Sequence, residues 1–390
     1  MDTQGSLPRL LLLCEGDPES WDSWSGTSRS VLTELRRLGH GVIPGDVDIY
    51  GIRRYLIGAT QYSPKRRRWW VKYHLGNLPF KARSKEAENL VVKHRGEYDA
   101  ILQFGATFSF EQQKSAPLFL YCDGNIALSA HARPSGQSEA CFLSEKEVMS
   151  LKEREATVYA KASHIFTISD RLRTSFIEDF SISPDKVTTV YAGGNLPLAD
   201  GMVANASPPP PPPTVLFVGR QFQRKGGDVL LQAFELVRKA IPDARLLLLG
   251  PRDVALDNPN VECLGFVNKD SPEGRQRIID TYRKSHVFCM PTRYEGLSIS
   301  FLEAMSFGLP CVSTYTDWAR PEMIIDGETG LVVPMDDSAA LAKALTNLLR
   351  SPATAHAMGQ KGRDRLKSTF TWKRSVGIMS KQISNVFPGS

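Results

Sequence analysis

Six consecutive prolines, residues 208–213, interrupt the middle of this 390-residue chain. Proline fixes φ and has no amide hydrogen, so the run "NASPPPPPPT" cannot enter a helix interior or a sheet and is expected to form an extended, fairly stiff spacer. The chain is long enough to bury a core on each side of that spacer. Before it, the apolar runs "RLLLLC" (9–14), "YDAILQF" (98–104), "PLFLYC" (117–122), "SHIFTI" (163–168) and "KVTTVY" (186–191) read as strands. They alternate with helical patterns such as "SRSVLTELRRLGHGVI", where Val31, Leu32, Leu35 and Leu38 share a face and Gly39 suits the position after the last turn. After it the alternation restarts, with strands "TVLFVG", "ARLLLLG", "VECLGFV", "HVFCMP" and "PCVSTY" between helical "GGDVLLQAFELVRKAI", "RQRIIDTYRK" and "SAALAKALTNLLR".

Uninterrupted apolar strands are those of parallel sheets covered on both faces. The expected fold class is therefore α/β, with two Rossmann-like domains facing a cleft. The expected division is an N-terminal domain at 1–200, a proline-rich linker at 201–213, a C-terminal domain at 214–372, and a last helix at 373–390 from "TWKRSVGIMSKQISNVF".

Composition narrows the setting. A hydrophobic fraction of 42 % and a charged fraction of 23 % are those of an ordinary globular protein. The apolar run at 10–14 is too short for a secretory leader, acidic Glu15 and Asp17 follow it, and no run is long enough to span a membrane, so a cytoplasmic protein is expected. The six cysteines and seven histidines are scattered, without metal-ligand spacing, so no metal site is expected. The net charge of +6 is concentrated: residues 65–95 hold ten Lys/Arg and two Glu, and the remainder is slightly acidic.

Within that basic segment, "SPKRRRWWVKYHLGNLPFKARSK" (63–85) interleaves cations with Trp69, Trp70 and Tyr73. The segment reads as a solvated helix whose tryptophans pack on the N-terminal domain, as a contact for an anionic membrane surface, or as a contact for an acidic polysaccharide. No other stretch resembles a nucleic-acid-binding motif, so nucleic acid is not expected as a partner.

The chemistry concentrates in two loops. In "RYEGLSISFLEAMSFGLP" (293–310) Glu295 follows a buried strand and Glu303 falls within the helix expected over Ser298–Phe307. Backbone N–H groups of Gly296 and Leu297 at the helix start favour an anion. The alternative is an ordinary acidic helix entry. In "VLFVGRQFQRKGGDVLLQAF" (215–234) Arg220 follows a strand and Lys225 precedes a helix; two cations at that strand end can neutralise a diphosphate and a leaving group, the alternative being two solvated loop charges. The triplet "DVD" (46–48) is assigned to a loop.

These motifs, with "PEMIIDGETGLVVP" (321–334) and the terminal "FTWKRSV", resemble the retaining GT-B glycosyltransferases of family 4, strongly over 214–376 and more weakly over 1–200. The resemblance implies a metal-independent, retaining hexosyltransferase that moves a sugar from a UDP- or GDP-linked donor to a glycan or lipid-linked acceptor. The nucleotide-sugar is a co-substrate, and no cofactor is implied. Glu295 would contact hydroxyls of the transferred sugar, Glu303 the ribose hydroxyls, and Arg220 and Lys225 the diphosphate. Gly26, in "SWSGTS", would let the first helix approach the donor phosphates, and the last helix would cross back to the N-terminal domain. Many relatives carry a histidine after the strand that reads "PLFLYCDGN" here. Asp123 stands in its place, either as a sugar- or acceptor-facing carboxylate or as the first residue of an Asp-Gly turn. The membrane reading of 63–85 would place the protein peripherally on the cytoplasmic membrane face. The competing functional reading is a catalytically silent GT-B module that docks on a membrane or a partner.

Overall fold

A computed structural model describes residues 7–111, 116–196, 211–252, 254, 258–315 and 322–387. Its contacts divide the chain into one unit of Met1–Tyr191 with Trp372–Ser390 and a second of Ala192–Thr371. Of the expected spacer, 201–213, only 211–213 fall within the described residues.

The first unit runs β1 (Leu10–Cys14), α1 (Thr27–Leu38), β2 (Val42–Asp46), α2 (Gly51–Thr60), α3 (Arg66–Leu75), α4 (Asn77–Lys93), β3 (Ala100–Phe104), β4 (Leu118–Cys122), α5 (Ile126–His131), α6 (Glu145–Ala160), β5 (His164–Thr167), α7 (Asp170–Phe180) and β6 (Val187–Thr189). The second runs β7 (Thr214–Val218), α8 (Gly227–Ala240), β8 (Arg245–Leu249), β9 (Val261–Gly265), α9 (Pro272–Arg283), β10 (Val287–Cys289), α10 (Ile299–Ser306), β11 (Cys311–Tyr315), β12 (Gly330–Pro334), α11 (Ser338–Arg350) and α12 (Pro352–Thr369), after which α13 (Trp372–Ser384) belongs to the first unit.

Each unit holds one six-stranded, all-parallel sheet, ordered β2-β1-β3-β4-β5-β6 and β12-β11-β10-β7-β8-β9. The continuous apolar runs explain this: β1, β3 and β4 are buried at every position, as strands with helices on both faces must be. Pro44 is tolerated because β2 is an edge strand. In each sheet the strand order reverses once, between β1 and β3 and between β7 and β10, and in such folds ligands gather at the carboxyl ends of the strands flanking that reversal.

α13 closes the first unit. Val376, Met379 and Ile383 are fully buried, α13 packs on α1, and buried His40 bonds Ser380 Oγ through Nε2 at 2.8 Å. No helix among the described residues is long and apolar enough to cross a membrane.

Candidate active site

The loops after β7 and β10 are sewn together at the reversal of the second sheet. Gly226 takes φ +71° at the start of α8, and a Cβ there would stand 1.9 Å from the Pro291 carbonyl oxygen, so only glycine lets the two loops approach. The Arg293 amide donates to the Arg224 carbonyl at 3.0 Å. The Arg293 guanidinium forks onto both oxygens of Asp228 at 2.8 Å, while its Nε reaches Asp336 at 2.7 Å.

Held this way, Lys225 and Glu295 meet. Lys225 Nζ lies 2.9 Å from Glu295 Oε2 and Arg224 Nη1 lies 3.3 Å from the same oxygen. All three side chains are largely buried. Burial alone would raise the Glu295 carboxyl, but the neighbouring Arg224 and Lys225 charges outweigh it and hold its pKa at about 2. Burial lowers the Lys225 ammonium, and Glu295 only partly restores it. The chemistry is that of a largely buried charge cluster with one more cation than anion, suited to a ligand that brings negative charge.

Glu303 is 2 % exposed on α10, with Lys269 Nζ 2.7 Å from Oε1 and the Tyr282 hydroxyl donating to Oε2 at 3.0 Å. Each carboxylate oxygen keeps a second lone pair for a ligand hydroxyl. α10 begins one residue later than expected, at Ile299, so Gly296 and Leu297 precede its N-cap Ser298 rather than forming its first turn. Ser298 makes no side-chain cap and its hydroxyl pairs with that of Ser300 at 3.0 Å. The first-turn N–H groups are therefore left without a capping side chain, beside the Lys225–Glu295 pair.

Arg220 is exposed after β7, its guanidinium 4.0 Å from the ring centroid of Phe266, and Arg252 lies 5.3 Å from the same ring. Thus Lys225, Glu295, Gly296 and Leu297 come together at the reversal, Glu303 lies along the adjoining helix, and Arg220 stands over Phe266. Arg224, Lys269 and Tyr282 were not marked in the sequence. Arg224 had a signal, standing next to Lys225 in the same loop; Lys269 and Tyr282 had none.

The first unit carries the other two candidates. Gly26 is buried at φ 90° as the N-cap of α1, where its left-handed backbone turns the chain into the helix. Asp123 is exposed after β4, two residues before the α5 cap Asn125, whose side chain accepts from Leu128 N. "DVD" ends β2 with Asp46, which accepts from the amides of Gly16 and Asp48 at 3.0 and 2.8 Å. In the basic segment, the Trp69 indole donates to the Gly58 carbonyl of α2 at 2.7 Å, and Trp70 packs against the Arg67 guanidinium and the tilted His74 ring.

The sequence matches the family described as Glycosyl transferases group 1 over residues 212–351, which contain all of this cluster. Residues 212–351 are therefore similar to the group 1 glycosyl transferases. Among curated relatives, a GDP-mannose-dependent monoacylated alpha-(1-6)-phosphatidylinositol monomannoside mannosyltransferase of Corynebacterium glutamicum is 34 % identical over 182 residues, 43 % of this chain and 45 % of that one. A GDP-mannose-dependent alpha-(1-6)-phosphatidylinositol monomannoside mannosyltransferase of Mycolicibacterium smegmatis is 31 % identical over 187 residues, 44 % and 47 % of the two chains. The matched segment spans about half the length of these relatives. Among solved structures, sucrose-phosphate synthase from Thermosynechococcus elongatus superposes with a TM-score of 0.70 at 20 % identity, over 98 % of this chain and 100 % of that one. Anabaena HepE, in complex with UDP and glucose, gives 0.61 at 15 % identity over 98 % and 100 %. The fold is GT-B.

Proposed function

We propose that the protein is a retaining glycosyltransferase that moves a hexose from a UDP- or GDP-linked donor to a glycan or lipid-linked acceptor without a metal ion. The observation that carries this reading is the Lys225–Glu295–Arg224 cluster at the sheet reversal, beside the uncapped start of α10. A donor diphosphate would draw Lys225 and Arg224 toward its oxygens and find the first-turn N–H groups of α10 beside them. Glu295, released from part of its ion pairing, would accept hydrogen bonds from hydroxyls of the transferred sugar. Glu303 would take the ribose hydroxyls with its remaining lone pairs, and Arg220 would add charge at the diphosphate.

In the reaction the bond from the anomeric carbon to the donor phosphate oxygen breaks and a bond to the acceptor oxygen forms on the same face. The acceptor proton passes to the departing phosphate. The chain's own contribution is to hold that phosphate negative and stationary through Lys225, Arg224 and Arg220. Gly26 and Asp123 are assigned to the donor phosphates and to a sugar or acceptor hydroxyl on the family resemblance. The choice of UDP or GDP is supported by the relatives named for GDP-mannose and by the UDP held in HepE.

Calorimetric titration with UDP, GDP, ADP and CMP, without metal, tests the donor site. One nucleoside diphosphate is expected to bind wild type and to lose most of its affinity to Arg220→Ala. Glu295→Ala is expected to abolish transfer while keeping nucleotide affinity within a few-fold. Binding of none of the four nucleotides would remove the donor site, and normal turnover by Glu295→Ala would remove Glu295 from the chemistry.

A further inference from the structure

α2 is mounted the wrong way round for a helix of a soluble domain. Ile52, Tyr55 and Leu56 are 70 %, 75 % and 61 % exposed, and with exposed Ala59 they form one i, i+3, i+4, i+7 stripe. The side turned to the protein is marked by Gly58, which is buried and whose carbonyl takes the Trp69 indole proton at 2.7 Å. A methyl added to Gly58 would touch Trp69 and Tyr73 of α3. The one buried residue of α2 is therefore its smallest, Ile57 is half-buried, and the apolar stripe faces water. Tyr50, Tyr62 and Trp70 extend the exposed apolar area on either side.

Cations rim the stripe. Arg54, Lys65 and Arg66 are exposed and form no ion pair among the described residues. Arg53 is tied to Glu86 at 2.5 Å, Arg67 to Glu139 at 3.4 Å, and Arg68 and Lys72 both to Glu147 at 3.7 Å. The positive charge left over is thus concentrated at the start of α3 and on α2.

We infer that α2 and the start of α3 form a docking surface for an anionic lipid bilayer. α2 lies in the plane of the interface, with Ile52, Tyr55 and Leu56 at the boundary between headgroups and acyl chains and Arg54, Lys65 and Arg66 at the lipid phosphates. Charge and shape select this occupant. A second copy docking through the same patch would bring the cations against one another. Nucleic acid or an acidic polysaccharide would match the charge, and bases could stack on Tyr55, but neither would cover the branched aliphatic side chains of Ile52 and Leu56. A ten-residue helix carries too little apolar surface to hold a membrane alone, and the cations supply the second of the two signals that stable anchoring needs.

The placement matters for reach. α2 follows β2 at the carboxyl edge of the first sheet, and the Tyr50 hydroxyl before it bonds Asp46 at 2.5 Å. Gly26 and Asp123 stand after strands at that same edge. A bilayer against α2 would lie near the ligand edge of this unit, where a lipid-borne acceptor could be met. The inference stands on α2 and α3 and does not depend on the transfer reaction.

Flotation of the full-length protein with vesicles tests it. The protein is expected to float with vesicles of phosphatidylcholine mixed with phosphatidylglycerol, to stay behind with phosphatidylcholine alone, and to be released by high salt. Ile52→Ser/Leu56→Ser, and separately Arg54→Glu/Lys65→Glu/Arg66→Glu, should each lower the partition coefficient by about tenfold or more, as expected when one of two anchoring signals is removed. Unchanged thermal melting and nucleotide titration would show that the variants are folded. The inference is overturned by no flotation of wild type on anionic vesicles, by equal flotation on neutral ones, or by full flotation of Arg54→Glu/Lys65→Glu/Arg66→Glu or of Ile52→Ser/Leu56→Ser. A concentration-dependent dimer abolished by that variant would overturn it too, by making the stripe an interface between copies. Flotation with no nucleotide binding would fault the donor reading and leave this one standing.

Discussion

Glu295 stays ionised in a place where burial alone would protonate it, because Arg224 and Lys225 approach one of its oxygens from two sides. Removing the carboxylate leaves two largely buried cations facing each other. Glu295→Gln is therefore expected to lower unfolding free energy by about 2–3 kcal/mol, the low side of what breaking a buried pair costs because the cluster is partly solvated. Glu295→Leu/Lys225→Met removes both charges and should recover at least half of that loss; urea unfolding of the two variants measures it. A double variant no more stable than the single one would show that the cluster is not a coupled pair. The wild-type contribution is complete above the ordinary carboxylate value of 4.5 and is lost as pH falls toward 2, so it vanishes only in strong acid. Lys225 and Glu295 were legible in the sequence because each sits at a strand-to-helix junction, a position with a known use. Lys269 and Tyr282 were not, since they reach Glu303 across 34 and 21 residues and no local period connects them.

At the scale of elements, α5 and α6 are joined by a buried carboxyl group. Glu155 of α6 accepts from the Ile126 amide at the start of α5 at 3.0 Å. Burial raises its pKa from 4.5 to about 7, and the hydrogen bond from Ile126 only partly opposes that. The folded state thus binds this proton more tightly than the unfolded chain. The stabilisation is complete below 4.5 and is lost as pH rises toward 7, an effect on the order of 3 kcal/mol. Glu155→Gln keeps an acceptor for Ile126 N without the titrating charge, so the difference in stability between variant and wild type should grow in the variant's favour from pH 4.5 to 7. Chemical unfolding at a series of pH values reads that difference; a constant difference would mean that Glu155 does not titrate in the fold. Elements with a continuous apolar run, such as β1, β4 and β7, were legible because burial on both faces dictates composition. β12 was not marked as a strand, being a short edge strand ending at Pro334. The orientation of α2 was not legible either: its stripe has an ordinary period, and only tertiary packing through Gly58 decides that it faces outward.

Two sheets of like construction read easily from one sequence, because the alternation of strand and helix is written twice and the prolines stand between the copies. The path of the chain at the level of the molecule is less local. The contact division falls at Tyr191/Ala192 and Thr371/Trp372, so the polypeptide leaves the first unit, builds the whole second sheet, and returns. The return is fixed by packing and by polar contacts, the Ser375 hydroxyl donating to the Val190 carbonyl at 2.7 Å and the Ser380 hydroxyl meeting His40 at 2.8 Å. His40 Nδ1 faces the Pro8 carbonyl at 2.8 Å and must donate to it, so Nε2 is the acceptor for the Ser380 hydroxyl. Burial lowers the His40 pKa, which keeps the ring in the neutral form this arrangement needs. If α13 belongs to the first unit energetically as well as geometrically, truncating its buried face must loosen that unit and spare the other. Met379→Ala, at a fully buried site, is expected to cost about 2–5 kcal/mol. Hydrogen–deuterium exchange followed by mass spectrometry should then show faster uptake in β1, α1 and β3, with β7, β8 and β11 unchanged. Equal acceleration in both sheets would mean that the two units unfold as one, and acceleration confined to the second would place the last helix with the wrong unit.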